Sequence, residues 1–268
     1  MPLSLPSIPV PDDELYLIPH RLGWDIDYWD GIVTLTPSDV AIVDLMLPLS
    51  GSRVSPVDSD QHASHTWRNV TLADMEQLKL LQQATFDLGV EYAGWTDDEY
   101  QRAIHDGISA FFGLNDRRPP GVLQHSFVAQ HEGEIIAALL VRDTQDGFRI
   151  QPIMVAAAWQ RQGLARHLLQ LASVSLKLAG VKALGSYCHL GNPASLQWHR
   201  ASGFEEKLNF FVAGHLAIHH DWMSRHYEAI GQTKDAETAK QLSELYYQLG
   251  RSTFCPKNCL RAMGVVLV

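Results

Sequence analysis

The residues best equipped for chemistry run from 152 to 166, PIMVAAAWQRQGLAR. A short apolar run ends at Val155, a loop carries Gly163, and a long helix begins at once. A strand, a glycine-bearing turn and a helix N-terminus together form an anion-binding device. The first N–H groups of a helix have no intrahelical partner, and the aligned peptide dipoles leave partial positive charge beside them. A phosphate satisfies both. The same pattern without a ligand is an ordinary strand-to-helix turn, so its meaning depends on the surrounding elements.

Other reactive side chains carry weaker patterns. His215 and His219 lie one helical turn apart, and three residues separate Cys255 from Cys259, a spacing compatible with zinc if all four converge. Histidines on surface helices are common, and no metal is expected. Cys188 reads as a small buried residue rather than a nucleophile.

The elements that must position these groups belong to a chain of 268 residues, long enough for one large domain or a standard domain with extensions. Its composition, 46% hydrophobic and 19% charged, is that of a folding globular protein. A net charge of −9 argues against autonomous nucleic-acid binding, which needs clustered Lys and Arg. Acidity suits a cationic substrate but equally serves solubility. Three widely spaced cysteines point to a reducing compartment. The proline-rich start lacks a basic n-region, and no apolar run reaches the roughly 18 residues of a membrane span. A soluble, cytoplasmic protein is expected.

Along the chain, residues 1–14 are proline-punctuated and suit an extended surface segment. WDIDYWDGIVTLT places Asp30 and Gly31 between two strand-like runs, a hairpin signature. Asp39 to Leu49 is apolar and fits a strand or a short helix equally. The polar stretch from Ser50 to His65 reads as a linker. A short strand at Trp67–Val70 precedes two helices with capping boxes, Thr71–Asp74 and Thr96–Glu99, joined by a loop carrying Glu91, Tyr92 and Trp95. After the NDRRPPG turn come three antiparallel strands near 126–131, 134–142 and 148–155. A helix from Gly163 to Ala179, a strand from Val181, a helix from Asn192 to about Ser202 and a strand region at FEEKLNFFVAG follow, with two further helices past Gly214.

The order from about 67 to 213 is strand, helix, helix, three strands, helix, strand, helix, strand. Gln160, Gly163 and Ala165 fit the pattern Gln or Arg, two residues, Gly, one residue, Gly or Ala. Trp159 precedes it, Asn192 follows the next strand, and Gly203–Phe204 closes the next helix. Together these resemble the GNAT superfamily of acyl-CoA-dependent N-acyltransferases over just over half of the chain. The resemblance implies an α/β (α+β) fold with a mixed, mostly antiparallel central sheet flanked by helices. One strand pair, ending at Val155 and near His189, would be splayed.

The resemblance further implies acetyl-CoA or another acyl-CoA as co-substrate. The pyrophosphate would lie on the amides of Arg161, Gln162, Gly163, Leu164, Ala165 and Arg166, beside Gln160, with Asn192 near the cofactor. The pantetheine arm would pair with unpaired backbone at Met154 and Val155, where an N–H polarises the thioester carbonyl. The family usually places a tyrosine proton donor seven residues after the Asn192 position; here that residue is His199, a candidate general acid or a packing histidine. A glutamate often found on the preceding strand is absent, since RIQPIMV offers Arg149 and Gln151. His189, Glu91 and water are the alternatives for the base. Tyr92, Trp95 and Trp198 suit an acceptor pocket or core contacts.

The expectation is an N-acetyltransferase acting on a primary amine of a small molecule or peptide through a ternary complex, or else an acyl-CoA-binding sensor without turnover. It would have an N-terminal extension at 1–65, a catalytic domain at 66–213 and a C-terminal helical extension at 214–268. The C-terminal amphipathic helices suit a homodimer or packing on the same domain.

Overall fold

The computed structural model describes residues 7–9, 21–50, 65–86, 89–115 and 120–254. Most of the proline-rich start, the linker and the NDRRPPG turn, together with Cys255 and Cys259, lies outside the described residues. The chain forms two compact units. The first comprises Met1–Leu3, Leu45–Tyr187 and Trp198–Glu205, and the second Ser4–Asp44, Cys188–Gln197 and Glu206–Val268.

In the second unit, β1 (Ser7–Pro9), β2 (Trp24–Trp29) and β3 (Ile32–Pro37) form an antiparallel sheet in the order β1-β3-β2. Asp30 (φ 48°) and Gly31 (φ 74°) are both left-handed, as a two-residue hairpin turn requires, so the expected hairpin is present. The unit also holds α5 (Phe210–Ala229) and α6 (Thr233–Phe254). Small residues let these two helices approach closely. Ser243 Oγ donates to the Ala217 carbonyl, Ser224 Oγ to that of Ala236, and Gly250 lies against Ala213.

The seven-stranded sheet, mixed and mostly antiparallel, lies mainly in the first unit. It involves β4 (Ile42–Pro48), β5 (Thr66–Asn69), β6 (Phe127–His131), β7 (Glu134–Thr144), β8 (Gly147–Val155), β9 (Ala183–His189) and β10 (Glu205–Lys207). Their order is β10-β4-β9-β8-β7-β6-β5. The helices are α1 (Met75–Phe86), α2 (Asp97–Phe111), α3 (Leu164–Leu178) and α4 (Pro193–Ala201), of which α4 crosses the division between the units. Both capping boxes form: the Thr71 amide donates to Asp74 and the Thr96 amide to Glu99. Val70, Leu78, Leu81, Ile108, Phe111, Val128, Ala138, Leu140 and Met154 share one core between α1, α2 and the sheet.

One open choice is resolved and one reading differs. Within Asp39 to Leu49, Ile42–Pro48 is a strand, the first of the two alternatives, with Val43, Leu45 and Leu47 alternately buried, and it lies between β9 and β10. The sheet therefore recruits residues on the N-terminal side of the division expected at 65. FEEKLNFFVAG is strand only at Glu205–Lys207. Asn209 Oδ1 accepts from the Val212 amide at 2.9 Å, and this cap starts α5 at Phe210, with Gly214 inside the helix.

Candidate active site

The site is built on the parting of two parallel strands. β8 and β9 pair at Arg149↔Gly185 and, among the described residues, no residue from Ile150 to Val155 pairs with β9. Pro152 supplies a local cause. It has no N–H to donate, and the register of β8 on β7 slips by one residue there, from Val141↔Ile150 to Leu139↔Ile153. The β9-facing edge of β8 is left open from Ile150 to Val155, while Met154 and Val155 stay tied to β7 opposite Ala138 and Ala137.

The chain then turns into α3. The Trp159 and Gln160 amides donate to the Ala156 and Ala157 carbonyls, and the first bond of α3 runs from His167 N to Gly163 O at 3.0 Å. Between them the N–H groups of Arg161 to Arg166 find no backbone acceptor among the described residues. Arg161 (φ 62°) and Gly163 (φ 84°) are left-handed, a conformation that gathers successive N–H groups around an anion. Arg161, Gln162, Gly163 and Arg166 are exposed, whereas Leu164 anchors the helix in the core and Ala165 is half-buried. Two glutamines stiffen the turn from within: Gln160 Nε2 donates to the Val155 carbonyl and Gln162 Nε2 to that of Ala158, each at 3.1 Å. Gln160 therefore closes the loop onto its own strand. The Trp159 ring lies 4.7 Å from His131 and 5.2 Å from His65, and Trp67 stacks on His167 at 4.0 Å. These rings tie the loop and α3 to β5 and β6.

His199, on α4, is 1% exposed, and its Nε2 lies 2.9 Å from Ser186 Oγ on β9. Its ring packs edge-on against Trp198 at 4.7 Å and Phe204 at 4.9 Å. The opposite face of β9 carries Tyr187, whose ring lies 4.2 Å from the Arg149 guanidinium carbon. Gly185 leaves room for that arginine, since a Cβ there would come within 2.8 Å of Nη1.

Of the two side chains expected as bases, His189 is hydrogen-bonded through both ring nitrogens. In the second unit, His189 Nδ1 accepts from the Gly191 amide at 2.9 Å, so Nε2 carries the proton and donates to the Ser38 carbonyl at 3.1 Å. Both nitrogens hold the end of β9. Asn192 Oδ1 accepts from the Ser195 amide and caps α4. Glu91, in the first unit, folds its carboxylate back over Gly89. Tyr92 and Trp95 meet edge-to-face at 5.3 Å in the same loop, with Tyr92 also against Tyr100 at 4.9 Å. His215 binds Ser38 Oγ at 3.0 Å; burial lowers its pKa, partly opposed by Asp25. No group of three or more metal-ligating side chains gathers among the described residues. No described helix is long and apolar enough to cross a membrane.

The partnerships of His199 with Ser186 and of Arg149 with Tyr187 carry no signal in the sequence, because each joins residues from separate elements. Alternation along β9 could have shown only that Ser186 and Tyr187 face opposite ways.

Among solved structures, the chain resembles a GCN5-related N-acetyltransferase from Sphaerobacter thermophilus at 15% identity and a TM-score of 0.46, covering 62% of this chain and 48% of that one. The chain thus spans about half the length of that protein. PaiA N-acetyltransferase from Thermoplasma acidophilum, solved with coenzyme A, matches at 16% identity and a TM-score of 0.42, covering 53% and 90%. The ribosomal-protein-S18-alanine N-acetyltransferase from Escherichia coli matches at 20% identity and a TM-score of 0.40, covering 54% and 79%. No curated protein matches by sequence. The acetyltransferase (GNAT) family model matches residues 78–204, from the middle of α1 to the Gly203–Phe204 pair, just under half of the chain.

Proposed function

We propose that this protein is an acyl-CoA-dependent N-acyltransferase that moves an acetyl group from acetyl-CoA to a primary amine of a small molecule or peptide. One observation carries the reading: the open edge of β8 leads into a turn whose six amides, Arg161 to Arg166, lack backbone acceptors. An extended arm with amide groups suits the first, and a pyrophosphate suits the second. Exposed Arg161 and Arg166 add charge beside it. Bound acetyl-CoA supplies an electrophilic thioester carbonyl and a thiolate leaving group.

The protein's own part is electrostatic and positional. A backbone N–H near Val155 stabilises negative charge on the carbonyl oxygen. An imidazolium is a stronger acid than a thiol, so a proton passed from protonated His199 to the departing thiolate runs downhill. His189 is committed through both ring nitrogens, which leaves Glu91 or water to take the proton of the amine.

A second reading, an acyl-CoA-binding sensor without turnover, is favoured by the burial of His199 against Ser186. Thiol release from acetyl-CoA across an amine panel, run beside calorimetric titration with acetyl-CoA, separates the two. Turnover with any amine removes the sensor reading, binding without turnover favours it, and absence of binding removes both.

A further inference from the structure

Tyr187 stands in the interior of a seven-stranded sheet, two residues beyond the pair where β8 and β9 part, and yet is 41% exposed. Its face of the sheet follows from register. Arg149 pairs with Arg142, and cross-strand partners point the same way. Arg142 donates to the Gly107 and Ala110 carbonyls of α2. Arg149, Gly185 and Tyr187 therefore lie on the α1–α2 face, whereas Ser186 and His199 lie on the other. The loop that carries Tyr92 and Trp95 joins the two helices of that same face.

Arg149 is 4% exposed, with its guanidinium carbon 4.2 Å from the centre of the Tyr187 ring. A guanidinium is always protonated. With that cation against one face, the ring's negative potential is already used, and a second cation on the opposite face meets repulsion. An apolar or planar group on that side meets none.

We propose that Tyr187 forms the acceptor-side wall of the β8–β9 cleft, packing against the apolar or planar body of a monoamine, and that Arg149 and Gly185 are positioning residues that hold the ring. The assignment rests on the acyltransferase reading and deepens it: the favoured acceptor is an arylalkylamine-type monoamine rather than a polyamine.

The test uses the full chain, saturating acetyl-CoA, and 2-phenylethylamine and spermidine as acceptors. The expected kcat/KM is higher for 2-phenylethylamine. Tyr187→Ala raises the KM for that amine about three- to tenfold, the range of an aromatic packing contact. Tyr187→Phe restores it, and the calorimetric Kd for acetyl-CoA stays unchanged in both variants. Arg149→Met also raises the amine KM without moving the acetyl-CoA Kd; because Arg149 is buried, the two surface-exposed Tyr187 variants carry the test if it fails to fold. A preference for spermidine, turnover with neither amine while acetyl-CoA binds, an unchanged amine KM in Tyr187→Ala, or a parallel rise in the acetyl-CoA Kd overturns the inference alone. Absence of acetyl-CoA binding by the wild type overturns the acyltransferase reading and this inference with it.

Discussion

A fragment beginning at Thr66 retains the whole order of elements shared with the family, and yet is expected not to fold. It lacks β4, which lies between β9 and β10. Leu45, Leu47 and Leu49 are 0%, 7% and 1% exposed. Each fully buried leucine contributes about 1.5–3 kcal/mol, so their removal costs roughly 5–9 kcal/mol. A domain of this kind has about 5–15 kcal/mol in total, and the deletion also bares the strand edges of β9 and β10. The assay is urea denaturation followed by circular dichroism, comparing residues 66–268 with the full chain. The fragment should show no cooperative transition, and Leu45→Ala in the full chain should lose about 2–5 kcal/mol. A fragment that unfolds cooperatively at the full chain's midpoint would refute the assignment of β4 as an integral strand.

Three further outcomes are expected. Gly163→Val places a side chain at φ 84°, at a cost of about 1–2 kcal/mol, and stands between an anion and the turn amides. Calorimetry should show weakened acetyl-CoA binding well beyond any loss in Tm, and unchanged binding would exclude this turn as the pyrophosphate site. His199→Ala should lower kcat at saturating acetyl-CoA about a hundredfold, at the lower end of general-acid effects, and an unchanged kcat removes the acid role. Burial lowers the pKa of His125, His215 and His220, with Asp25 opposing at His215. The unfolded chain therefore binds more protons than the folded one as pH drops below about 6.5, and stability falls with it until the folded imidazoles also protonate. Thermal unfolding across pH 5 to 8 checks this, and a Tm that rises on acidification contradicts it.

What was legible in the chain was what neighbouring residues decide among themselves. Asp30–Gly31 specifies a tight turn because both residues tolerate left-handed backbone, and the hairpin forms there. The stretch from Pro152 to Arg166 carries strand, turn and helix start within fifteen consecutive residues, and its free amides follow from backbone geometry alone. Less visible was whatever depends on a distant partner. β4 finds its place beside β9, with the Leu49 amide on the Lys182 carbonyl, and nothing within Asp39–Leu49 names that neighbour. At Phe210–Val212, aromatic and β-branched residues favour a strand, but the Asn209 cap and the packing of α5 on α6 outweigh that preference.

The same division separates the two halves of the site. A backbone cradle for an anion needs only a local conformation, so its residues identify it. A proton donor or acceptor is defined by what occupies its lone pairs and who shares its cavity. His189 ends β9, but its partner Ser38 lies 151 residues away and takes the proton-bearing nitrogen. His199 meets Ser186 from a different element, and Tyr187 becomes a wall only because Pro152 helps β8 leave β9 and Arg149 fills the space that Gly185 leaves. Side-chain chemistry here is therefore a property of strand register: slipping β9 by one residue would exchange the faces of Ser186 and Tyr187, leaving the amide cradle intact while removing both the partner of His199 and the acceptor wall.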